Sequence, residues 1–384
     1  MPLEPLGLRE NVSFWPFSVK FHSGPQRQTG ICDTISSGLH LHGRSWIREC
    51  LDNHKSCQPD LEALGWVPER LIRVHQRGEW GHYGLQLIVT SATPADGRYY
   101  TTLSHRWSSQ SFLKLTHNNF QQLSREFTSS DLPQTFRDAV SATYHLGFHY
   151  LWIDSLCIIQ DGLDDWKSQS AQMHQIYALA VCNLAASWAE DCTKAMFSQR
   201  SNSSKLANSI KLRVRLRYRK MRLADENIWR RCVEDSILRE RGWVFQERFL
   251  SPRKMHFGED QISWECKELR ASENWHSGFW PNSLLPPAEQ TDTPVVPTLY
   301  YALALGLSLA QCSYFEKWGE IIKAYSVTSL TKDTDRLVAL SGVANAFAAS
   351  RSREASAYVA GMWRDTLELS MFWVVYIPEE TEAD

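Results

Sequence analysis

With 41 Lys and Arg against 43 Asp and Glu in 384 residues, the chain carries a formal net charge of −2, which singles out no strongly charged partner. Hydrophobic residues at 43% and charged residues at 22% exclude a disordered, coiled-coil or collagen-like chain, and the length leaves room for two or three domains. Beside 16 Phe and 13 Tyr stand 16 Trp, a surplus of flat rings that either fill a core or stack on flat ligands.

Residues 1–45 are rich in Gly, Ser, Pro and His and lack periodicity, so they read as a poorly ordered leader. Trp46, Ile47, Cys50, Leu51 and His54 recur at helical spacing, and Leu71–Val74 and Leu85–Val89 read as short strands before a turn at Pro94–Gly97. Strand and helix signals then alternate, the pattern of a parallel α/β sheet. Tyr99–Leu103 reads as a strand, and a helix starting at Asp131-Leu132-Pro133 and stopping at Gly147 carries Phe136, Ala139, Val140, Thr143 and Leu146 on one face. Tyr150–Ile159 is almost continuously apolar, as in a strand covered on both faces, with Asp154 in its middle. A helix over Asp164–Ala180 and a strand over Val181–Ala186 follow. Residues 187–210 read as an irregular excursion. Lys211–Arg219 alternates cations with apolar groups, as a half-buried strand with a basic face does. Pro281–Pro297 reads as a linker, Tyr300–Tyr325 and Asp335–Ala349 as helices, and Tyr358–Tyr376 as an apolar, Trp-bearing end.

Four features hold side chains with chemistry. A carboxylate in an apolar strand costs several kcal/mol unless paired, so Asp154 either lines a crevice beyond the strand ends, with Ser104–Trp107 and Gln160-Asp161, or caps loop amides and meets an Arg as part of the fold. Trp243 and Glu247 lie four apart on a helical stretch, where a carboxylate beside an indole suits a cationic or oxocarbenium-like sugar; the other reading pairs Glu247 with Arg248 on an amphipathic helix. Cys50-x3-His54-x2-Cys57 supplies three soft ligands, with His40 or His42 in reach as a fourth, but its spacing is no recognised metal pattern, and the favoured reading is buried cysteines with a packing His and no metal. The cations Lys211, Arg213, Arg215, Arg217 and Arg219 read as a solvated face, not a nucleic-acid site. The phosphate-loop, dinucleotide, nucleophile-elbow and zinc-protease motifs are absent. Nine cysteines without framework spacing, no apolar segment in Met1–Glu10, and a longest apolar run (Tyr300–Ala310) shorter than the roughly 20 residues a bilayer needs predict a reduced, cytoplasmic protein with no membrane contact.

The ordered set Tyr100–Trp107, Leu132–Ala139, Tyr150–Asp161, Asp165-Trp166, Met173 with Ile176-Tyr177, and Arg241–Arg248 resembles the heterokaryon-incompatibility (HET) domain of filamentous fungi over about residues 98–260. Flanking pieces also resemble HET proteins: the Cys-His-Cys stretch and Pro68–Arg70 upstream, and Tyr325-Ser326, Leu330-Thr331, Asp335–Leu337, Tyr358, Gly361 and Trp363 downstream. The resemblance implies a cell-death effector of fungal non-self recognition, with a homo-oligomer or another incompatibility protein as partner. It also implies a fold similar to Toll/interleukin receptor (TIR) domains: an α/β, flavodoxin-like parallel sheet with helices on both faces. Here that core would be elaborated by an N-terminal α/β segment and a C-terminal helical region. Some TIR domains cleave NAD with one glutamate on a helix after a Trp, and the Trp243–Glu247 stretch is similar. On that analogy Glu247 is catalytic, NAD is the substrate and no cofactor is needed. Ser104, His105, Arg106, Trp107, Asp154, Gln160, Asp161, Trp243 and Arg248 bind substrate, with Trp107 and Trp243 stacking on rings, Asp154, Gln160 and Ser104 on the ribose, and Arg106 or Arg248 on the pyrophosphate. The alternatives are a non-enzymatic module acting by homotypic assembly and a divergent enzyme with another task. One departure stands out: Ser104-His105-Arg106-Trp107-Ser108 replaces the family's usual Ser-Tyr-Cys-Trp-Gly. The expected divisions are 1–45 leader, 46–97 N-terminal elaboration, 98–260 core, 261–297 linker and 298–384 mostly helical.

Overall fold

The computed structural model describes residues 12–14, 17–19, 38–58, 65–77, 82–92, 99–197, 228–259, 261–278, 309–350 and 354–371. The alternating segment Lys211–Arg219, the proline-rich stretch Pro281–Pro297 and most of the leader lie outside these residues. The chain divides into two compact units, Met1–Pro287 and Ala288–Asp384.

The first unit opens with a short hairpin of β1 (Val12–Phe14) and β2 (Phe17–Val19) and continues into helix α1 (Arg44–Asn53), whose Trp46, Ile47 and Cys50 are buried as their spacing predicts. Strands β3 (Arg70–Gln76) and β4 (Tyr83–Val89) pair antiparallel. After them come β5 (Tyr100–Ser104), helix α2 (Phe120–Arg125), β6 (Phe127–Thr128), helix α3 (Gln134–Leu146), β7 (Tyr150–Trp152), the helical turn α4 (Asp154–Cys157), helix α5 (Leu163–Leu179) and β8 (Cys182–Ala185). Helix α6 (Gly242–Leu250) leads into a meander of β9 (Arg253–Phe257), β10 (Ile262–Cys266) and β11 (Arg270–Ser272).

These strands form one nine-stranded sheet in the order β11-β10-β9-β8-β5-β7-β3-β4-β6. Its centre, β7-β5-β8-β9, is parallel throughout, and antiparallel strands extend it on either side. Counted along the chain the parallel strands run 2-1-3-4, the flavodoxin-like order, whose switch point lies at the carboxyl ends of the first and third strands, here β5 and β8. The α/β expectation thus holds, and the antiparallel flanks are an addition to it.

Every residue of β5 is buried because helices cover both faces. Tyr100 donates its hydroxyl to the Ile176 carbonyl of α5 at 2.7 Å, whereas the Thr101 hydroxyl meets Thr143 of α3 at 2.8 Å. Gly147 closes α3 at φ +92°, a left-handed conformation that glycine adopts without strain, and its amide reaches back to the Thr143 and Tyr144 carbonyls.

Tyr150–Ile159 departs from the expected strand. Only Tyr150–Trp152 pairs, and Asp154 begins a helical turn just beyond the strand end. Continuous apolarity fits a buried helical turn as well as a buried strand, and the Asp154 carboxylate favours the turn by accepting the Ser155 amide at 2.7 Å.

In the second unit α7 (Leu309–Ser326), α8 (Arg336–Ala349), the strand pair β12 (Tyr358–Val359) and β13 (Met362–Trp363), and α9 (Leu367–Ser370) gather around an aromatic cluster. Trp363 is fully buried with Tyr314, Trp318 and Tyr358 rings each 5.3 Å away, so part of the Trp surplus fills a core. Among the described residues no helix is long and apolar enough to cross a membrane.

Candidate functional site

Residues converge at the carboxyl ends of β5, β7 and β8. Strand alternation sends Ser104 to the face covered by α5 and His105 to the face covered by α3, where its ring meets Phe136 edge-on at 4.8 Å. Beneath Ser104, Asn183 of β8 gathers the hydroxyls of Thr102 (3.0 Å) and Ser104 (3.2 Å), which leaves no apolar floor there.

Glu247 arrives from α6. It is 2% exposed, its Oε2 takes no hydrogen bond, and the hydroxyls of Ser104 and Tyr177 face its carboxyl group. Burial raises its pKa to about 7, with Asp154 adding to the rise and Arg241, Ser104 and Tyr177 opposing it. Such a carboxyl group is shared between its two protonation states at neutral pH.

Asp154 holds the centre. Its Oδ2 accepts the Trp107 indole N–H at 2.9 Å and lies 3.7 Å from Arg241 Nη2, while Oδ1 lies 3.8 Å from His105 Nε2. His105 is buried, and burial lowers its pKa to about 4 against the pull of Asp154, so the ring is neutral at physiological pH. Arg241 also donates to the His105 carbonyl and stands over the Trp107 ring, which Lys114 approaches as well, at 4.8 Å. Trp107 is the outermost of these groups, with Arg106 beside it, held by the Ile237 carbonyl and Glu240.

The expected site residues therefore separate. Ser104, His105, Trp107, Asp154 and Glu247 come together, with Arg106 at the rim. Gln160 spends its amide on the Asp154 and Ile158 carbonyls, so it braces the α4 turn. Asp161 pairs with His117 at 2.9 Å on an exposed surface. Trp243 sets its ring edge-on to Trp166 of α5 at 6.5 Å, which makes it a packing group. Arg248 turns away to a different buried cluster. There it makes a two-pronged pair with Glu265 at 3.0 and 3.1 Å and reaches Glu234 at 3.1 Å, with His256 and Lys254 against the same Glu265 carboxylate. The suggested Glu247–Arg248 pair is thus replaced by two separate environments on one helix.

Arg241, Tyr177 and Asn183 belong to the cluster without having been assigned to it. Arg241 and Tyr177 stand inside quoted motifs, and Asn183 is the polar interruption in an otherwise apolar strand. The Cys50, His54 and Cys57 stretch meets a fourth group, Cys266 at the end of β10. His42 is not that group, since its ring stacks on Trp46.

Residues 100–247, from the first residue of β5 to Glu247 itself, match the model of the family described as heterokaryon incompatibility protein (HET). No curated protein and no solved structure matches the chain. Residues 100–247 are thus a HET domain, which supports a role related to heterokaryon incompatibility.

Proposed function

We propose that this HET-domain chain is an effector of incompatibility-triggered cell death that cleaves the N-glycosidic bond of NAD or a closely related nucleotide. The observation that carries the reading is Glu247: a buried carboxyl group with one oxygen free of hydrogen bonds, at the switch point of a parallel sheet where α/β folds bind ligands. The resemblance to TIR domains supports it by analogy.

The chemistry asks for little. Nicotinamide leaves as a neutral ring, taking the electron pair of the bond from the ribose C1′, so no general acid is required. The ionised Glu247 stabilises the oxocarbenium ion left behind until water adds to C1′ and gives up a proton. Asp154 and Ser104 face the ribose, and Trp107 offers a ring for stacking. Arg241, Arg106 and Lys114 around that ring suit a pyrophosphate, a task that falls to Arg241 because Arg248 is committed to Glu265. Trp107 and Arg241 must part from Asp154 for a ribose to reach Glu247.

A second reading rests on that same closure. Asp154 is already met by Trp107, Ser155 and Arg241, as in a polar core that serves only the fold, and the domain then signals by homotypic assembly. Purified protein at high concentration, incubated with NAD, separates the two. Nicotinamide release that disappears in Glu247→Ala, together with NAD loss and toxicity in cells, supports the enzyme. Unchanged toxicity in Glu247→Ala without nicotinamide release from the wild type supports the assembly.

A further inference from the structure

We propose that Cys50, His54, Cys57 and Cys266 bind a single zinc ion, as a Cys3His structural site that ties the segment before the HET domain to the sheet beyond it. The four donor atoms all lie within 4.8 Å of one another. Tetrahedral ligands at the usual zinc–sulfur and zinc–nitrogen distances stand roughly 3.5–3.8 Å apart, so a small inward movement completes the shell. The cysteines are fully or nearly fully buried and His54 is half-buried at the edge, with its Nδ1 3.3 Å from Cys266 Sγ.

Backbone donors and one cation face the sulfurs. The turn between β10 and β11 aims backbone N–H groups at sulfur: Leu269 at Cys266 Sγ (3.2 Å), Glu268 at the same atom and Lys267 at Cys57. Three thiolates and a neutral imidazole around Zn²⁺ leave a charge of −1. Arg253, itself buried, places its Nη1 4.0 Å from Cys50 Sγ and donates to the Cys57 carbonyl at 2.9 Å. The backbone that carries the ligands is also braced. Gln58 gathers the Leu51 and His54 carbonyls, and the Ser56 amide meets Glu268, locking the first ligand turn to the second.

The donor set selects the metal. Magnesium and calcium want oxygen ligands, whereas three buried sulfurs and an imidazole suit zinc. A disulfide between any two of the sulfurs would leave the third thiol and the histidine unexplained. His54 and Cys266 are 212 residues apart, and both lie outside the matched 100–247 region, one on either side. The site therefore closes the domain on itself and gives the Cys-His-Cys stretch a purpose that its own spacing does not reveal.

The full chain, purified under reducing conditions with zinc present, is expected to hold about one zinc per molecule by mass-spectrometric metal analysis. Replacement by Co²⁺ is expected to give the visible bands of a tetrahedral site with thiolate charge-transfer absorption. Cys266→Ser and His54→Ala are expected to lower zinc retention after dialysis against a chelator at least tenfold, while Cys192→Ala, a buried cysteine outside the cluster, keeps it. The cobalt spectrum needs no variant, so misfolding of Cys266→Ser leaves the test intact. A folded wild type that takes up neither ion, or Cys266→Ser that keeps its zinc, overturns the site.

Discussion

Glu247 and Glu265 are both buried carboxylates less than twenty residues apart, yet their surroundings drive them in opposite directions. Burial opposes the ionised form of each. At Glu265 the cations Lys254 and Arg248 outweigh burial and hold its pKa well below the usual range. At Glu247 the opposing cation, Arg241, is shared with Asp154, burial wins, and the pKa rises to about 7. The residue that would have neutralised Glu247 from its own helix, Arg248, faces Glu265 instead. One carboxylate is thus held ionised by its cations, and the other is left with a raised pKa.

The sharpest break of this contrast is Glu265→Gln. It leaves the buried Lys254 without its carboxylate and Arg248 with Glu234 alone, and the expected loss is about 3–5 kcal/mol in a urea unfolding experiment. Equal stability of wild type and variant would mean that the Glu265 cluster contributes nothing to holding the fold.

Next comes the pH dependence. A carboxyl group raised from the ordinary 4.5 to about 7 binds more protons in the folded state, so its contribution is present below pH 4.5 and is lost as pH rises through 7, by about 3 kcal/mol. Glu247→Gln removes that slope, and its stability relative to wild type is expected to climb between pH 5 and 8. His105 gives the mirror image. Lowered from 6.5 to about 4, it contributes stability above pH 6.5 that is lost as pH falls through 4, and His105→Asn is expected to flatten that acid limb. Thermal melts across pH 4–8 check both signs.

The smallest expected effect is that of Trp107→Phe, which keeps an aromatic ring but removes the indole N–H from Asp154. Because the pair is partly exposed, the cost is about 1 kcal/mol, read in the same urea titration.

Three strands of the parallel centre, β5, β7 and β8, were legible in the sequence because local patterns mark them, whereas β9 carried no strand signal of its own. Short strands at β5 and β8 alternate with helices α3 and α5, whose apolar faces recur at period 3.6. Where β7 ends within Tyr150–Ile159 was not legible, since unbroken apolarity carries no period and the choice between strand and turn falls to the Asp154 side chain. The antiparallel flanks depend on register between strands, which no single segment encodes. The site divides in the same way. Ser104, Asp154 and Glu247 stand in motifs of a known family, whereas the partner that claims Arg248 lies across the sheet on β10. Cys266 was hidden for the same reason: nothing near it in the sequence announces a ligand.

The position of β9 between β8 and β10 has a consequence for the order in which the protein is made. A nascent chain that ends just past Arg248 still has an open edge on β8 and lacks Glu265, the carboxylate that Arg248 grips with two hydrogen bonds, although it already holds Glu234. Once β9 and β10 leave the ribosome, β9 covers the edge of β8 and Glu265 meets Arg248 of α6. The surroundings of α6 are therefore completed by residues that follow it, and a ribosome that stalls just past Arg248 holds the helix without the carboxylate that anchors Arg248.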